Sequence, residues 1–372
     1  MKILQVSDAY PPFPGGVGEH IFNLKKYLER LGHEVYVLTS GYPGLMQEID
    51  SNVIRRGRVF LTPPLKIFNY TQLTLTFDPH IFSFLKSFYR QNRFDVVHLH
   101  GPLAPNLPGF ALHFSPYPAV ATFHTAFVGF NWNKIAKIFF YKDAKKLRKF
   151  IFVSQTAKSP VIPPYYGDWC IVPNGVDLEV FYPGKEEKLI TGKFNVGFLG
   201  RHEPRKGLHI LLEAVAKDPF LRENVVLIIG SMGPLTSKYK AFCQENGLNA
   251  LFLGKIARED LPVFYRRLDV FVAPSTGGES FGLILLEAMA SGVPLIASDI
   301  EGYRNVVVNE ENGLLFENGN RDDLALKLKT LIKSQSLREK LVRNALNFVK
   351  RFHWLEIARK IEKIYKEVKQ CW

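Results

Sequence analysis

Cysteine is scarce, and what there is makes no pattern. Cys170, Cys243 and Cys371 are odd in number and far apart in a chain of 372 residues, which excludes a disulfide framework and a zinc spacing and fits a reducing compartment. No apolar run approaches the roughly 18–20 residues of a membrane-spanning helix. The N-terminal MKILQVSD passes straight into a strand pattern, so neither a signal peptide nor a transmembrane anchor is expected, and a cytoplasmic location is. No D-x-D pair and no G-x-x-x-x-G-K-[ST] occurs, so the usual carboxylate holders of a diphosphate-bound metal and the P-loop are both missing. Negative charge is also short: 35 Asp and Glu stand against 48 Lys and Arg, a formal net charge of +13. Apolar content is plentiful. With 47% hydrophobic and 13% aromatic residues the chain is not low-complexity disorder and is long enough for two α/β domains, each with its own core.

The basic excess is uneven. Residues 1–168 hold 19 Lys and Arg against 10 Asp and Glu, an excess of +9; residues 169–372 hold 29 against 25, an excess of +4. An anionic partner for the first part is one consequence, a merely soluble basic surface the other. Strand-like and amphipathic runs alternate twice. Lys2–Ser7, Val35–Thr39, Asp95–Leu99, Ala119–Phe123 and Phe150–Ser154 read as buried strands, with a helix over Val17–Leu31 stopped by Gly32. A Pro- and Gly-rich stretch from Pro160 to Gly192 follows. The alternation restarts with strands at Asn195–Leu199, Val225–Ile229, Leu251–Leu253, Asp269–Ala273 and Pro294–Ala297, separated by helical runs, and ends in a helix over Trp354–Lys369. This predicts two doubly wound, Rossmann-like domains over 1–168 and 193–352, a linker over 169–192 and a closing helix within 353–372, with ligands in a cleft at the carboxyl ends of the strands.

Five segments carry candidate chemistry. The first runs from Asp8 through Tyr10 to Gly15-Gly16-Val17-Gly18, a Gly-rich turn opening a helix, suited to a phosphate but lacking the third small residue and the acidic residue of a dinucleotide fingerprint. The second, Gly200-Arg201-His-Glu-Pro-Arg205-Lys206-Gly207, places three cations in six residues before a helix, as a diphosphate would require. The third is Gly277-Gly278-Glu279-Ser280-Phe281-Gly282, leading into an apolar helix that contains Glu287. That carboxylate needs a partner, either a ligand's hydroxyl pair or a buried cation, and Ser280 is placed to cap the helix and leave the amides of Phe281 and Gly282 for an anion. The fourth is a histidine set: His98 and His100 on one strand face and His124 at the next strand's end, with no carboxylate or cysteine to complete a metal site. The fifth, Asn131–Lys149, has seven Lys or Arg against one Asp, interleaved with aromatics. It reads as a basic amphipathic helix, either interfacial or packed on its own domain.

Taken together, Gly15-Gly16-Val17, His98-Leu-His100, Phe123-His124-Thr125, Pro173-Asn-Gly-Val-Asp177, Gly200-Arg201, Arg205-Lys206-Gly207 and the E-x7-E pair Glu279 and Glu287 resemble the retaining GT-B glycosyltransferases of family 4 over nearly the whole chain. Within the family, ATFHT, PRKG and GGESFG are similar to the phosphatidylinositol mannosyltransferases. Those commonly carry Gln after GGV, where this chain has Gly18. The resemblance implies that Arg201 and Lys206 hold the donor diphosphate, helped by backbone at Gly15, Gly16, Phe281, Gly282 and Leu283. It implies that Glu287 takes the ribose hydroxyls, that backbone near Ile256 reads the base, and that His124 and Glu279 act on the donor sugar as the catalytic pair. Tyr10 and Thr125 fall at the acceptor, and the last helix crosses back onto the first domain. A nucleotide sugar, with GDP-mannose favoured and a UDP-sugar open, is the expected donor, and a lipid-linked or glycan acceptor the expected partner. No cofactor and no metal are called for. An anionic membrane surface, on the inner face, is the expected dock for residues 131–149.

Three other functions compete. A nucleotide-sugar epimerase on the same scaffold would need no acceptor. Gly278-Glu-Ser280-Phe-Gly282 matches the serine-hydrolase elbow, with Asp299 and His353 in the right order, although the strand ends too early for it. A nucleic-acid binder could use the charge, but no stacking sheet or recognised module is present, and no nucleic-acid partner is expected.

Overall fold

The computed structural model describes residues 1–13, 15–41, 50–61, 74–102, 106–124, 142–158, 168–184 and 186–371. The chain divides into two compact units: Met1–Gly175 together with Trp354–Trp372, and Val176–His353.

The first unit is built on a sheet of β1 (Lys2–Ser7), β2 (Glu34–Gly41), β3 (Val53–Leu61), β4 (Thr74–Phe77), β5 (Val96–His100), β6 (Ala119–Phe123), β7 (Leu147–Phe152) and β8 (Asp168–Ile171). Their order is β4-β3-β2-β1-β5-β6-β7-β8. All neighbours run parallel except β4, which lies antiparallel on β3 at the edge. The near-continuous burial of β1, β5 and β6 is what a parallel sheet covered on both faces demands. The strand order reverses around β1, so the loops after β1 and β5 sit at the switch point where such sheets bind ligands. The final helix, Trp354–Gln370, belongs to this unit: Trp354, Ile357, Ile361 and Tyr365 pack with Ile3, Leu24, Tyr27, Val96 and Val120 in one core.

Two expectations are corrected here. The basic run does not stay helical to Lys149, because Leu147–Phe152 pairs with β6, with Val120 opposite Lys149 and Ala121 opposite Phe150. Leu147 and Phe150 are buried while Arg148 is exposed, and Lys149 ion-pairs with Asp168 of β8. The earlier part of the run, residues 131–141, lies outside the described residues. The linker also starts later than residue 169, because Trp169, Cys170 and Ile171 form the edge strand β8 against Lys149–Phe152.

The second unit carries β9 (Phe194–Leu199), β10 (Val225–Gly230), β11 (Ala250–Gly254), β12 (Val270–Ala273), β13 (Leu295–Ser298) and β14 (Leu314–Phe316). The order is β11-β10-β9-β12-β13-β14, all parallel. Runs such as VVLIIG, VFVA and LIAS are buried throughout. The switch point falls at β9, so the loops after β9 and β12 are the ones placed to hold a ligand.

Candidate active site

In the second unit, the loop after β9 makes one 3₁₀ turn, Pro204–Lys206, and closes on Gly207 at φ 69. A Cβ there would stand 1.8 Å from the carbonyl oxygen of Pro274, so only glycine lets this loop press against the loop after β12. The amide of Thr276 donates to the Arg205 carbonyl at 2.9 Å and ties the same two loops together. Arg205 and Lys206 are thereby brought onto Glu279. Its Oε1 accepts from Lys206 Nζ at 2.7 Å, from an Arg205 guanidinium nitrogen at 2.8 Å and from Ser275 Oγ at 3.2 Å. Arg205 also donates to Glu203 at 3.1 Å, and the Tyr303 hydroxyl donates to Ser275 Oγ at 2.9 Å. Burial alone would raise the Glu279 carboxyl, but the ammonium of Lys206 and the guanidinium of Arg205 outweigh it and hold the group below its ordinary value, as an anion.

The Glu279 side chain is 15% exposed and charge-matched. Arg201, by contrast, is 48% exposed and 3.9 Å from Glu203. The helix after this loop starts at Leu283, not Phe281, with Gly282 as its N-cap at φ 100 and no side-chain cap. Ser280 therefore does not cap it. Phe281 is buried, 5.9 Å ring to ring from Phe352, and anchors the loop so that only its backbone is available to a ligand. The first amides of Leu283–Ala290 are the end of a helix dipole and suit an anion.

Glu287 lies half-buried on that helix and accepts from the Tyr265 hydroxyl at 2.8 Å. Burial and then the Glu287 charge push the Tyr265 hydroxyl well above its ordinary value, so it stays a donor. Ile256 is half-buried, and a Cβ at Gly230 would meet its side chain at 2.7 Å. The hydrolase elbow is not formed: β12 ends at Ala273, a whole loop precedes Ser280, and Asp299 is engaged by Arg304 at 2.5 and 2.8 Å.

In the first unit, Gly15 caps the helix Gly16–Arg30 at φ 144, with both glycines exposed. Tyr10 is 5% exposed and packs with Ile21, Val37 and Val53. Thr125 lies outside the described residues. Asp8, at the end of β1, accepts from Thr76 Oγ1 at 2.5 Å and from the Leu107 amide at 3.1 Å. Burial raises its carboxyl to about 6 against these hydrogen bonds.

The histidines of β5 and the loop after β6 form a buried group with His20 from the first helix. His98 Nδ1 meets Tyr365 Oη and its Nε2 meets Thr122 Oγ1, both at 2.6 Å. His100 Nδ1 is 3.0 Å from His124 Nε2, and His100 Nε2 is 3.3 Å from Gln5 Oε1. His20 Nδ1 is 2.9 Å from Asn174 Oδ1. Burial keeps all four imidazoles neutral: His20 is lowered to about 4, His98 to about 3, and His100 and His124 well below the ordinary value. Ring nitrogens of His20, His100 and His124 lie within 4.8 Å of one another and are the described residues placed to hold a metal ion, though no cysteine or carboxylate joins them.

Sequence reasoning missed Gln5, His20, Ser275, Tyr265 and Tyr303. Only Gln5 carried a local signal, as the one polar side chain within the buried part of ILQV. Ser275 acts within its own loop, on Glu279, and the others act across strands or helices distant in sequence.

Two family models match the chain: "Glycosyltransferase Family 4" over residues 14–180 and "Glycosyl transferases group 1" over residues 184–348. A phosphatidyl-myo-inositol mannosyltransferase of Mycobacterium leprae is 32% identical over 362 residues, covering 95% of this chain and 94% of its own. Among solved structures, a sucrose-phosphate synthase of Thermosynechococcus elongatus superposes with TM-score 0.79 at 22% identity over 100% of both chains. An Anabaena protein crystallised with UDP and glucose does so with TM-score 0.78 at 21% identity, over 99% of this chain and 100% of its own.

Proposed function

Since the chain belongs to the group 1, family 4 glycosyltransferases and has their GT-B fold, we propose that it moves mannose from GDP-mannose to a lipid-linked acceptor of the phosphatidylinositol kind, with retention and without a metal ion. That it is a hexosyltransferase follows from the family; donor, acceptor and stereochemistry are the proposal. The observation that carries it is the charge-matched cluster of Glu279, Arg205 and Lys206 beside a helix N-terminus, at the switch point of the second sheet.

Glycosyl transfer builds positive charge on the sugar ring and negative charge on the departing diphosphate. Lys206, Arg201 and the first amides of Leu283–Ala290 supply positive charge for the leaving group, and such electrostatic stabilisation is usually the largest catalytic term. In the ligand-free protein Lys206 is neutralised by Glu279. A diphosphate competing for that ammonium loosens one of the carboxylate's partners, and Glu279, still held by Arg205, can then accept from sugar hydroxyls. Glu287 is a half-buried carboxylate that accepts from Tyr265, and a carboxylate held in this way suits a vicinal ribose diol. Fixed cations take the role that a divalent metal takes in other diphosphate chemistry. Retention, by resemblance, implies departure and attack on one face of the sugar.

A lipid acceptor implies attachment at a membrane face. No described helix is long and apolar enough to cross a membrane. The basic excess of the first 168 residues supports electrostatic attachment instead, with each cation near an anionic leaflet contributing about 1 kcal/mol.

Thermal-shift titration with GDP-mannose, UDP-glucose and ADP-glucose tests the donor. The expected result is a rise with GDP-mannose equivalent to about 2.7 kcal/mol at 100 times its dissociation constant. Glu287→Gln should melt like the parent without ligand, since an amide oxygen still accepts from Tyr265, yet lose most of that rise. A parent response confined to UDP-glucose or ADP-glucose would displace the GDP-mannose assignment.

A further inference from the structure

The donors that reach the Glu279 carboxylate all fall on one of its two oxygens. Lys206, Arg205 and Ser275 bond Oε1, and among the described residues none donates to Oε2. The Ser275 bond belongs to a chain that runs one way. A carboxylate only accepts, so Ser275 gives its single proton to Glu279 and meets the Tyr303 hydroxyl with a lone pair, which makes Tyr303 the donor, at 2.9 Å. Burial and then the Glu279 charge push the Tyr303 hydroxyl well above its ordinary value, so it keeps that proton. The chain is braced from outside the loop. Ser298 Oγ donates to the Ser275 carbonyl. A Cβ at Gly302 would stand 1.9 Å from the Glu279 carbonyl oxygen, and one at Gly282 would stand 3.0 Å from Tyr303 Cδ1. The short helix Glu301–Arg304 thus presses on the loop at its start, middle and end.

We propose that Ser275 and Tyr303 are positioning residues for Glu279, pinning Oε1 so that Oε2 is the oxygen presented to a hydroxyl of the transferred sugar. For its consequence, though not its geometry, this rests on the glycosyltransferase reading. The relay supplies what the cations do not. Lys206 and Arg205 carry charge that a diphosphate competes for, whereas Ser275 and Tyr303 are 2% and 0% exposed and neutral. Their bond to Oε1 therefore persists when the leaving group takes Lys206, and the carboxylate keeps its orientation. A reacting contact displaced by about 1 Å can cost roughly 100-fold in rate, so the relay matters to turnover more than to the binding of the nucleotide.

Ser275→Ala, Tyr303→Phe and the double variant test the relay in the full-length protein. Each single change should lower kcat with GDP-mannose about 10-fold, with KM and the affinity for GDP, which carries no sugar, little changed. Residues in one chain are not additive, so the double variant should lose no more than Ser275→Ala alone, and Ser275→Thr, which keeps the hydroxyl, should restore most of the rate. A double variant that loses the product of the two single losses, or a GDP affinity that falls with kcat, would overturn the proposal. Carbon-13 NMR of glutamate-labelled protein, with the Glu279 signal assigned by Glu279→Gln, reads the relay without substrate. Against burial, the charges of Lys206 and Arg205 and the hydrogen bonds of Lys206 and Ser275 hold this carboxyl below its ordinary value. Both single variants should therefore raise its titration by the same step. A merely structural role would lower the melting temperature and leave that titration in place, and this result also overturns the relay. Should Tyr303→Phe fail to fold, Ser275→Ala against Ser275→Thr decides. Absence of turnover in the parent would fault the glycosyltransferase reading instead, and the Glu279 titration alone would then decide the relay.

Discussion

At the residue scale the cations of the PRKG loop are not equivalent. Arg201 is half exposed and bound weakly to Glu203, whereas Lys206 and Arg205 are folded onto Glu279. Arg201→Ala should leave the melting temperature within a small margin and weaken donor binding by about 1.5–3 kcal/mol, roughly 10- to 150-fold, as loss of a charged hydrogen bond does. Lys206→Ala should do the same to affinity, because Arg205 and Ser275 still hold Glu279 in place. Calorimetric titration with GDP checks both, and unchanged affinity in the two variants would remove the diphosphate assignment. Asp8 offers a test of the first unit that needs no ligand. Its carboxyl is raised from 3.8 to about 6 in the native state, so between those values the folded protein binds more protons than the unfolded one. Stability due to this group is therefore greatest below pH 4 and falls as pH rises through 6. Asp8→Asn keeps an oxygen for Thr76 and Leu107 and removes the buried charge. It should stabilise the protein by about 1–3 kcal/mol at pH 8 and leave it unchanged at pH 4, read by denaturant unfolding at the two pH values.

At the element scale, the strands that were legible in the sequence are those with one continuous apolar run. Lys2–Ser7 and Ala119–Phe123 fall where the pattern puts them, and the second-unit strands are displaced by a residue or so. The illegible ones carry charge. VIRRGRVFL forms β3, and the charged start Leu147–Lys149 joins the strand read at Phe150–Ser154 to make β7, because the neighbouring strand supplies the hydrogen-bonding partner, a long-range fact that local periodicity does not encode. The candidate site divides in the same way. Lys206, Glu279, Glu287 and His124 were legible as a cation, carboxylates and an imidazole in loops or in an apolar helix. Tyr265 and Gln5 were not, because each reaches its partner from another helix or strand, and Ser275 was not, because the fold of its own loop turns its hydroxyl onto Glu279. The closing helix is the element on which the first unit most depends: it buries seven side chains, from Trp354 to Val368, in the same core as Ile3 and Tyr27. At about 1.5–3 kcal/mol for a fully buried large apolar side chain, loss of the six large ones is as big as the usual 5–15 kcal/mol of total stability. Ending the chain at His353 should abolish the unfolding transition of the first unit while the core of Val176–His353 keeps its own. Differential scanning calorimetry with two transitions undiminished would contradict this.

At the scale of the whole molecule, two doubly wound units each place a loop cluster at the strand-order reversal of their own sheet. One is a nest of cations, carboxylates and a helix N-terminus, and the other a buried group of neutral histidines beside a Gly-rich turn. The first carries the charge that the proposed nucleoside diphosphate requires, and the second is uncharged. The most direct test is to incubate the purified protein with GDP-mannose and vesicles containing phosphatidylinositol, in excess EDTA, and to determine the anomeric configuration of the lipid product by NMR. The account predicts a mannosylated lipid that keeps the α configuration of the donor and forms at an undiminished rate in EDTA. A β-linked product, or transfer that appears only when Mg²⁺ or Mn²⁺ is restored, would contradict it.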